Sequence, residues 1–266
     1  MKVPDGLVRN IYDIIHERNV RSHMDTESVG CRLINRMDFP KPTGINVNMM
    51  PVDFYNLSKS LPDNLKQYQT MMCFACRHKT PDYNKSRWIV YLTVHEELVP
   101  VGTSHRRPGL HIEQPNNILK GGEIINGGEA YLNLAWGLGT WVGDGIPSDG
   151  IIMASNVENS CRIWNMTITN PQNLTDKHGG LEECRKYLGD GQYVPENTLV
   201  WLTDRTPHES LPLEAPKDDP KATHVYRQFF RVVLGDISVW FSKHNTVNPM
   251  GTMPDAQIID IDKFAT

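Results

Sequence analysis

The sequence predicts a mainly β protein, a sandwich or barrel led by a helix, from three observations. Short runs rich in β-branched and aromatic residues recur between residues 87 and 244, Gly- and Pro-rich turns separate them, and one sustained helical pattern lies near the N-terminus. Residues 6–19 space Leu7, Ile11, Ile14 and Ile15 as an amphipathic helix would. Residues 20–65 are polar and turn-rich, with a short helix expected at 51–60. RWIVYLTV (87–94), CRIWNMTIT (161–169), TLVWLTD (198–204), YRQFFRVVLG (226–235) and ISVWFSKH (237–244) read as strands. GLHIE (109–113) reads as another, entered through a Pro-Gly turn, and residues 121–157 alternate Gly-rich turns with short apolar runs. LEECRKYLG (181–189) reads as a short helix stopped by Gly189.

With 266 residues, of which 39% are hydrophobic, the chain can bury a substantial core, and all-β units reach this length as one domain. No repeat or boundary divides it, so residues 1–266 are expected as a single domain. Residues 1–65 would form a helical or loop extension on a β core of about 70–245. The net charge of −4 and dispersed cations argue against nucleic acid or an anionic membrane as the main partner. No run approaches the roughly 18 apolar residues of a membrane span. Charges interrupt the first residues where a signal peptide would be apolar. Five scattered cysteines, an odd number, suit reduced thiols, so a cytoplasmic location is expected. Cys73 and Cys76 lack a second pair at zinc-ribbon spacing and read as packing residues. Trp136, Trp141, Trp164, Trp201 and Trp240 lie on expected strands and read as core and rim.

The chemistry concentrates in RRPGLHIEQP and TLVWLTDRTPHESLPL. On a strand, His111 and Glu113 share a face while Ile112 turns into the opposite layer. With His208 they supply two imidazoles and a carboxylate, the facial set that leaves open positions on non-haem Fe(II). Alone, an H-x-E is common, and a buried histidine often serves a local hydrogen bond. Arg227 and Arg231 share one face of a later strand, and a buried arginine needs an anion. Arg106 and Arg107 precede the H-x-E and could bind an anionic small-molecule substrate; a solvated turn is the equal alternative. Asp204, Arg205, Glu209 and Ser210 are candidates to orient His208, and Asn156 and Arg162 to face the cavity.

His111, Glu113, His208 and an arginine on the following strand resemble the double-stranded β-helix dioxygenases that use Fe(II) and 2-oxoglutarate, here in an H-x-E…H variant over about residues 87–245. The resemblance implies a jelly-roll, cupin-like core with flanking helices, and His111, Glu113 and His208 as metal ligands. It implies Arg227 or Arg231 as anchor for the distal carboxylate of 2-oxoglutarate, Arg227 being favoured by its shorter spacing. It also implies O2-dependent hydroxylation or other oxidation of a small or medium-sized molecule. The sequence departs from the family in carrying Glu where Asp is usual, and in EAPKDDPKATH (214–224), an apparent insertion before the arginine strand. Two alternatives stand beside this reading: a cupin-like metal enzyme without 2-oxoglutarate, and a non-catalytic jelly-roll binding or structural module.

Overall fold

A computed structural model describes residues 5–77, 86–114, 119–120, 123–124, 134–141, 147–176 and 178–263. In chain order the elements are α1 (Asp5–Ser22), β1 (Met24–Asp25), β2 (Cys31–Arg36), β3 (Asn46–Asp53), α2 (Leu57–Ser60), α3 (Gln69–Cys76) and β4 (Ile89–Pro100). They continue with β5 (Leu119–Lys120), β6 (Glu123–Ile124), β7 (Ile151–Ser155), β8 (Cys161–Ile163), β9 (Thr167–Ile168) and α4 (Arg185–Leu188). The last are β10 (Gln192–Tyr193), β11 (Thr198–Leu202), β12 (His208–Ser210), β13 (His224–Val233), β14 (Val239–Phe241) and β15 (Gln257–Ile259).

Six strands form an antiparallel sheet in the order β2-β11-β7-β13-β4-β3, and β10-β8-β12 form a smaller antiparallel one. The segment around His111 extends the smaller sheet through a bridge from His111 to His208. From β4 onward the chain passes back and forth between these two sheets. The molecule is mainly β with several antiparallel sheets and flanking helices, consistent with a jelly-roll-like fold.

Alternation along the strands separates two cores. From β13, Phe230 and Val232 join Val90, Leu92, Ile152 and Trp201 on the outer face, where Leu61, Tyr68, Met71 and Met72 from the helical region cover them. Phe229 and Val233 turn the other way, toward Tyr91, Met153, Cys161 and Ile163 between the sheets. Behind the smaller sheet, Leu110 and Ile112 pack on Trp164, Met166 and Leu181. Ile112 therefore does face the layer opposite His111.

Several expectations need adjustment. The segment 1–65, expected as helix and loop, supplies β2 and β3, the two outer strands of the main sheet. Its polar composition fits that place, because edge strands have one solvated side. The expected helix at 51–60 begins only after β3, as a 3-10 turn followed by α2. Residues 161–169 break into β8 and β9, which pair with different partners. Ile14 and Ile15 on α1 are exposed rather than packed. The helix expected at 181–189 forms as a 3-10 turn leading into α4, and Gly189 follows at φ 67°. Most of 121–146 lies outside the described residues. No helix among the described residues is long and apolar enough to cross a membrane.

One polar cluster ties the N-terminal segment to the sheet. Glu96 accepts from Thr43 N–H (2.7 Å), Ile45 N–H (2.9 Å), Tyr68 Oη–H (2.6 Å) and Gln228 Nε2–H (3.2 Å). Burial raises the Glu96 carboxyl, but the bonds from Tyr68, Ile45 and Thr43 outweigh it and hold the group below its usual range. Removing the carboxylate strands three donors, since Gln228 Nε2 keeps Pro40 O and Tyr68 Oη, and each such loss costs about 1–3 kcal/mol. Glu96→Ala is expected to lower the urea unfolding free energy by about 3 kcal/mol or more. A loss under about 1 kcal/mol would mean that the donors find water instead.

Candidate functional site

A cavity of about 560 Å³ opens between the sheets. That size falls within the range of small-molecule sites. It is lined by His111, Glu113 and His208, by Arg227, Phe229 and Arg231 from the inner face of β13, and by Arg106 and Arg107. The structure thus gathers His111, Glu113 and His208 with Arg106, Arg107, Arg227 and Arg231 around one cavity, although only an isolated bridge pairs His111 with β12.

The two histidines are positioned by backbone. His111 N–H donates to His208 O (3.0 Å) and His208 N–H to His111 O (2.9 Å), placing the rings 4.5 Å apart between centroids. Behind His111, Ile112 N–H donates to Gly179 O at 2.9 Å. Gly179 has φ +86°, and a Cβ there would stand 2.6 Å from Ile112 O, so glycine is what permits this approach. The side chain of His111 bonds through Nδ1 to Gly109 O (2.7 Å), and that of His208 through Nδ1 to Thr206 O (2.9 Å). A carbonyl only accepts, so both rings carry a proton on Nδ1, and each Nε2 is the nitrogen left for another partner. Burial, then His208 and Arg107, push His111 well below its ordinary value, which keeps it neutral.

Glu113 Oε1 lies 3.8 Å from His208 Nε2 and is also ion-paired to Arg231 Nη1. Burial would raise this carboxyl, but Arg231 and His208 draw it well below the usual range, so it is ionised. Among the described residues no group of three His, Cys, Asp or Glu side chains stands ready to hold a metal ion. The donor types needed are together, but Arg231 shares the carboxylate.

Arg227 differs from Arg231. It is 1% exposed, and its contacts are hydroxyls: Ser155 Oγ (3.1 Å), Ser210 Oγ (3.3 Å) and Ser160 Oγ (3.4 Å). No carboxylate pairs with it among the described residues, and burial brings it down to about 10. Arg106 donates through Nη1 to His95 Nδ1 (2.7 Å) and lies over Phe229, with burial lowering it to about 9. Arg107 donates to His178 O at 2.7 Å. Among the described residues lining the cavity, Arg106, Arg107, Arg227, Arg231 and Lys263 face two carboxylates, Glu97 and Glu113. That excess of positive charge favours an anionic ligand.

The remaining candidates divide. Ser210 does reach the cavity, through Arg227. Glu209 turns to the other side, where Arg162 and Arg185 hold it, so neither Glu209 nor Arg162 lines the cavity. Asn156 instead accepts from Gln228 N–H and donates to Tyr226 O. Arg205 Nε donates to Gln114 Oε1 (2.8 Å) rather than orienting His208, a task that falls to Thr206 O. Sequence reading gave no site role to His95, Asn245 or Lys263 and read Trp136 as packing, yet all four line the cavity. His95 comes from the interior of β4, Trp136 from an isolated bridge to Ile237, and Asn245 and Lys263 from chain after residue 241, where nothing local marks a site.

No protein-family model matches the sequence, and no curated protein matches it either. Among solved structures, the chain is similar to iron-bound HygX from Streptomyces hygroscopicus at 9% identity and a TM-score of 0.35, over 87% of this chain and 92% of that one.

Asp204 provides a pH test of how the turn before His208 is built. Its Oδ2 accepts from Trp136 N–H at 3.0 Å, and burial raises the carboxyl from 3.8 to about 6 despite that bond. The fold therefore favours the protonated form. The corresponding stability is fully present below about pH 4 and is lost as pH rises through about 6, on the order of 2–3 kcal/mol. Asp204→Asn is expected to gain stability relative to the parent as pH rises from 4 to 7, read from urea midpoints. A difference independent of pH would show that Asp204 is ionised throughout.

Proposed function

We propose that the chain is a non-haem Fe(II) enzyme of the double-stranded β-helix type that oxidises a small or medium-sized anionic molecule using 2-oxoglutarate and O2. The observation that carries this reading is the histidine pair. Two buried imidazoles are each tethered through Nδ1–H to a backbone carbonyl, so that the Nε2 atoms are the ring nitrogens left for a metal beside an ionised carboxylate. Such tethering is the usual means of orienting a metal-bound histidine.

In this reading His111, His208 and Glu113 hold the metal, and Arg231 keeps Glu113 ionised and in place until it is loaded. Bound Fe(II) supplies O2 activation coupled to oxidative decarboxylation of 2-oxoglutarate. Arg227 receives the distal carboxylate of the oxo acid, assisted by the hydroxyls of Ser155, Ser160 and Ser210. The carboxylate would replace three neutral partners with a charge-assisted pair, about twice as strong per bond. Arg106 and Arg107 add positive potential along the wall that draws an anionic substrate inward. Phe229 separates Arg106 from Arg227 and keeps that part of the cavity apolar.

The sharing of Glu113 by Arg231 favours a second reading, a metal-free jelly-roll module that binds an anion. The two separate in titrations of metal-free protein with Fe(II) or Mn(II) under anaerobic conditions, followed by 2-oxoglutarate. One metal per chain is expected, abolished in His111→Ala and His208→Ala with far-ultraviolet circular dichroism unchanged. Arg227→Gln should keep the metal and weaken 2-oxoglutarate by about 10- to 100-fold. Metal binding that survives both histidine variants would refute the ligand assignment.

A further inference from the structure

Four buried side-chain atoms among the described residues lack a hydrogen-bond partner: His105 Nδ1, Trp136 Nε1, Arg231 Nε and Asn245 Nδ2. All four belong to residues that line the cavity. Unpaired buried polar groups are costly and rare, so their gathering at one place calls for a ligand. Trp136 is the sharpest case. Trp88, Trp164, Trp201 and Trp240 each donate Nε1–H to a backbone carbonyl, at 2.8–3.1 Å, whereas Trp136, only 2% exposed, donates to nothing.

Three of the atoms, Trp136 Nε1, Arg231 Nε and Asn245 Nδ2, are donors on the cavity wall. Asn245 and Arg231 are linked by a chain of contacts: Asn48 Nδ2 donates to Asn245 Oδ1 (3.1 Å), Thr93 Oγ1 lies 3.5 Å from Asn48 Oδ1, and Arg231 Nη2 donates to Thr93 Oγ1 (3.4 Å). Asn48 also donates to His244 O (3.3 Å), which fixes its amide and leaves the Asn245 Nδ2 turned away from it. Asn48 and Met49 sit at a bulge, two residues opposite Thr93, which brings both to the cavity wall. Lys263 lies 4.7 Å over the Trp136 ring, adding a cation there. Arg227 and its serines lie four residues away along β13, about 13 Å by strand geometry.

We infer that Trp136 Nε1, Asn245 Nδ2 and Arg231 Nε form a second anion site, separate from Arg227, that takes an oxyanion group of the substrate. Three N–H donors and no acceptor require a ligand that presents oxygen acceptors. A carboxylate, phosphate or sulfate group meets that demand. Naming this group as the substrate's rests on the proposed function, which assigns the oxo acid to the Arg227 end; the site itself does not.

The test uses the full, metal-free chain, with acetate, inorganic phosphate and sulfate as probes at constant ionic strength. The ¹⁵N-indole resonance of Trp136, identified by its loss in Trp136→Phe, is expected to shift saturably with at least one probe. Asn245→Ala should weaken that probe by about tenfold. Arg227→Gln should leave the Trp136 response intact. Trp136→Phe removes the unpaired N–H together with the pyrrole half of a buried indole, so its Tm without probe is expected to fall, and the informative readout is the loss of the probe-dependent rise in Tm that the parent shows. A Trp136 resonance indifferent to all three probes, or an Asn245→Ala affinity equal to the parent's, overturns the inference. Failure of Fe(II) or Mn(II) to bind would count against the proposed function alone, because these titrations contain no metal.

Discussion

Two guanidinium groups buried four residues apart on β13 constrain everything on the inner side of the main sheet. Strand alternation sends Arg227, Phe229 and Arg231 inward together, β13 pairs with β4 along its length and with β7 over Phe229–Val233, and both arginines are buried beneath the smaller sheet's side of the cavity. A buried charge without compensation costs several kcal/mol. The surrounding residues answer it differently at each position. Arg231 gets Glu113, whereas Arg227 gets only hydroxyls from three separate elements. Hydroxyls can hold a guanidinium in place without neutralising it, and that leaves an arginine oriented and ready for an anion.

The histidines depend on the same layout from the opposite sheet. Their mutual backbone bonds make the short bridge between the His111 segment and β12, and their Nδ1 bonds run to carbonyls two residues back on their own chains. Orientation thus comes from main chain, which single side-chain changes nearby would disturb little. Packing reinforces it. Ile112 is fully buried in the cluster behind the smaller sheet, and its fit there determines which way His111 and Glu113 face.

Much of this was legible because period-two alternation is local. His111-Ile112-Glu113 and Arg227-Gln228-Phe229-Phe230-Arg231 both declare their inward members without reference to the rest of the chain. The strands over 198–204 and 226–235 were equally plain, being apolar and β-branched. What stayed hidden was nonlocal. The polar strands β2 and β3 look like loop because edge positions tolerate charge and proline. Trp136, Asn245 and Lys263 enter the cavity through tertiary contacts made far from the motif, and a tryptophan with an unpaired N–H looks in sequence like any core tryptophan.

The division of labour between the two faces of the main sheet explains how such a cavity is tolerated. The outer face is nearly free of charge apart from Glu96, which is fully bonded, and it carries the helices and the larger aromatic contacts, including Tyr68 stacked on Phe230 at 6.1 Å. Among the described residues the inner face carries four buried polar atoms without a protein partner, beside more cationic than carboxylate side chains along the cavity. Bringing in an anion answers both together, because the same oxygens satisfy N–H groups and neutralise charge. Under the proposed anion site, ligand binding and folding are coupled through one set of atoms, while the apolar outer face supplies stability to which no ligand contributes.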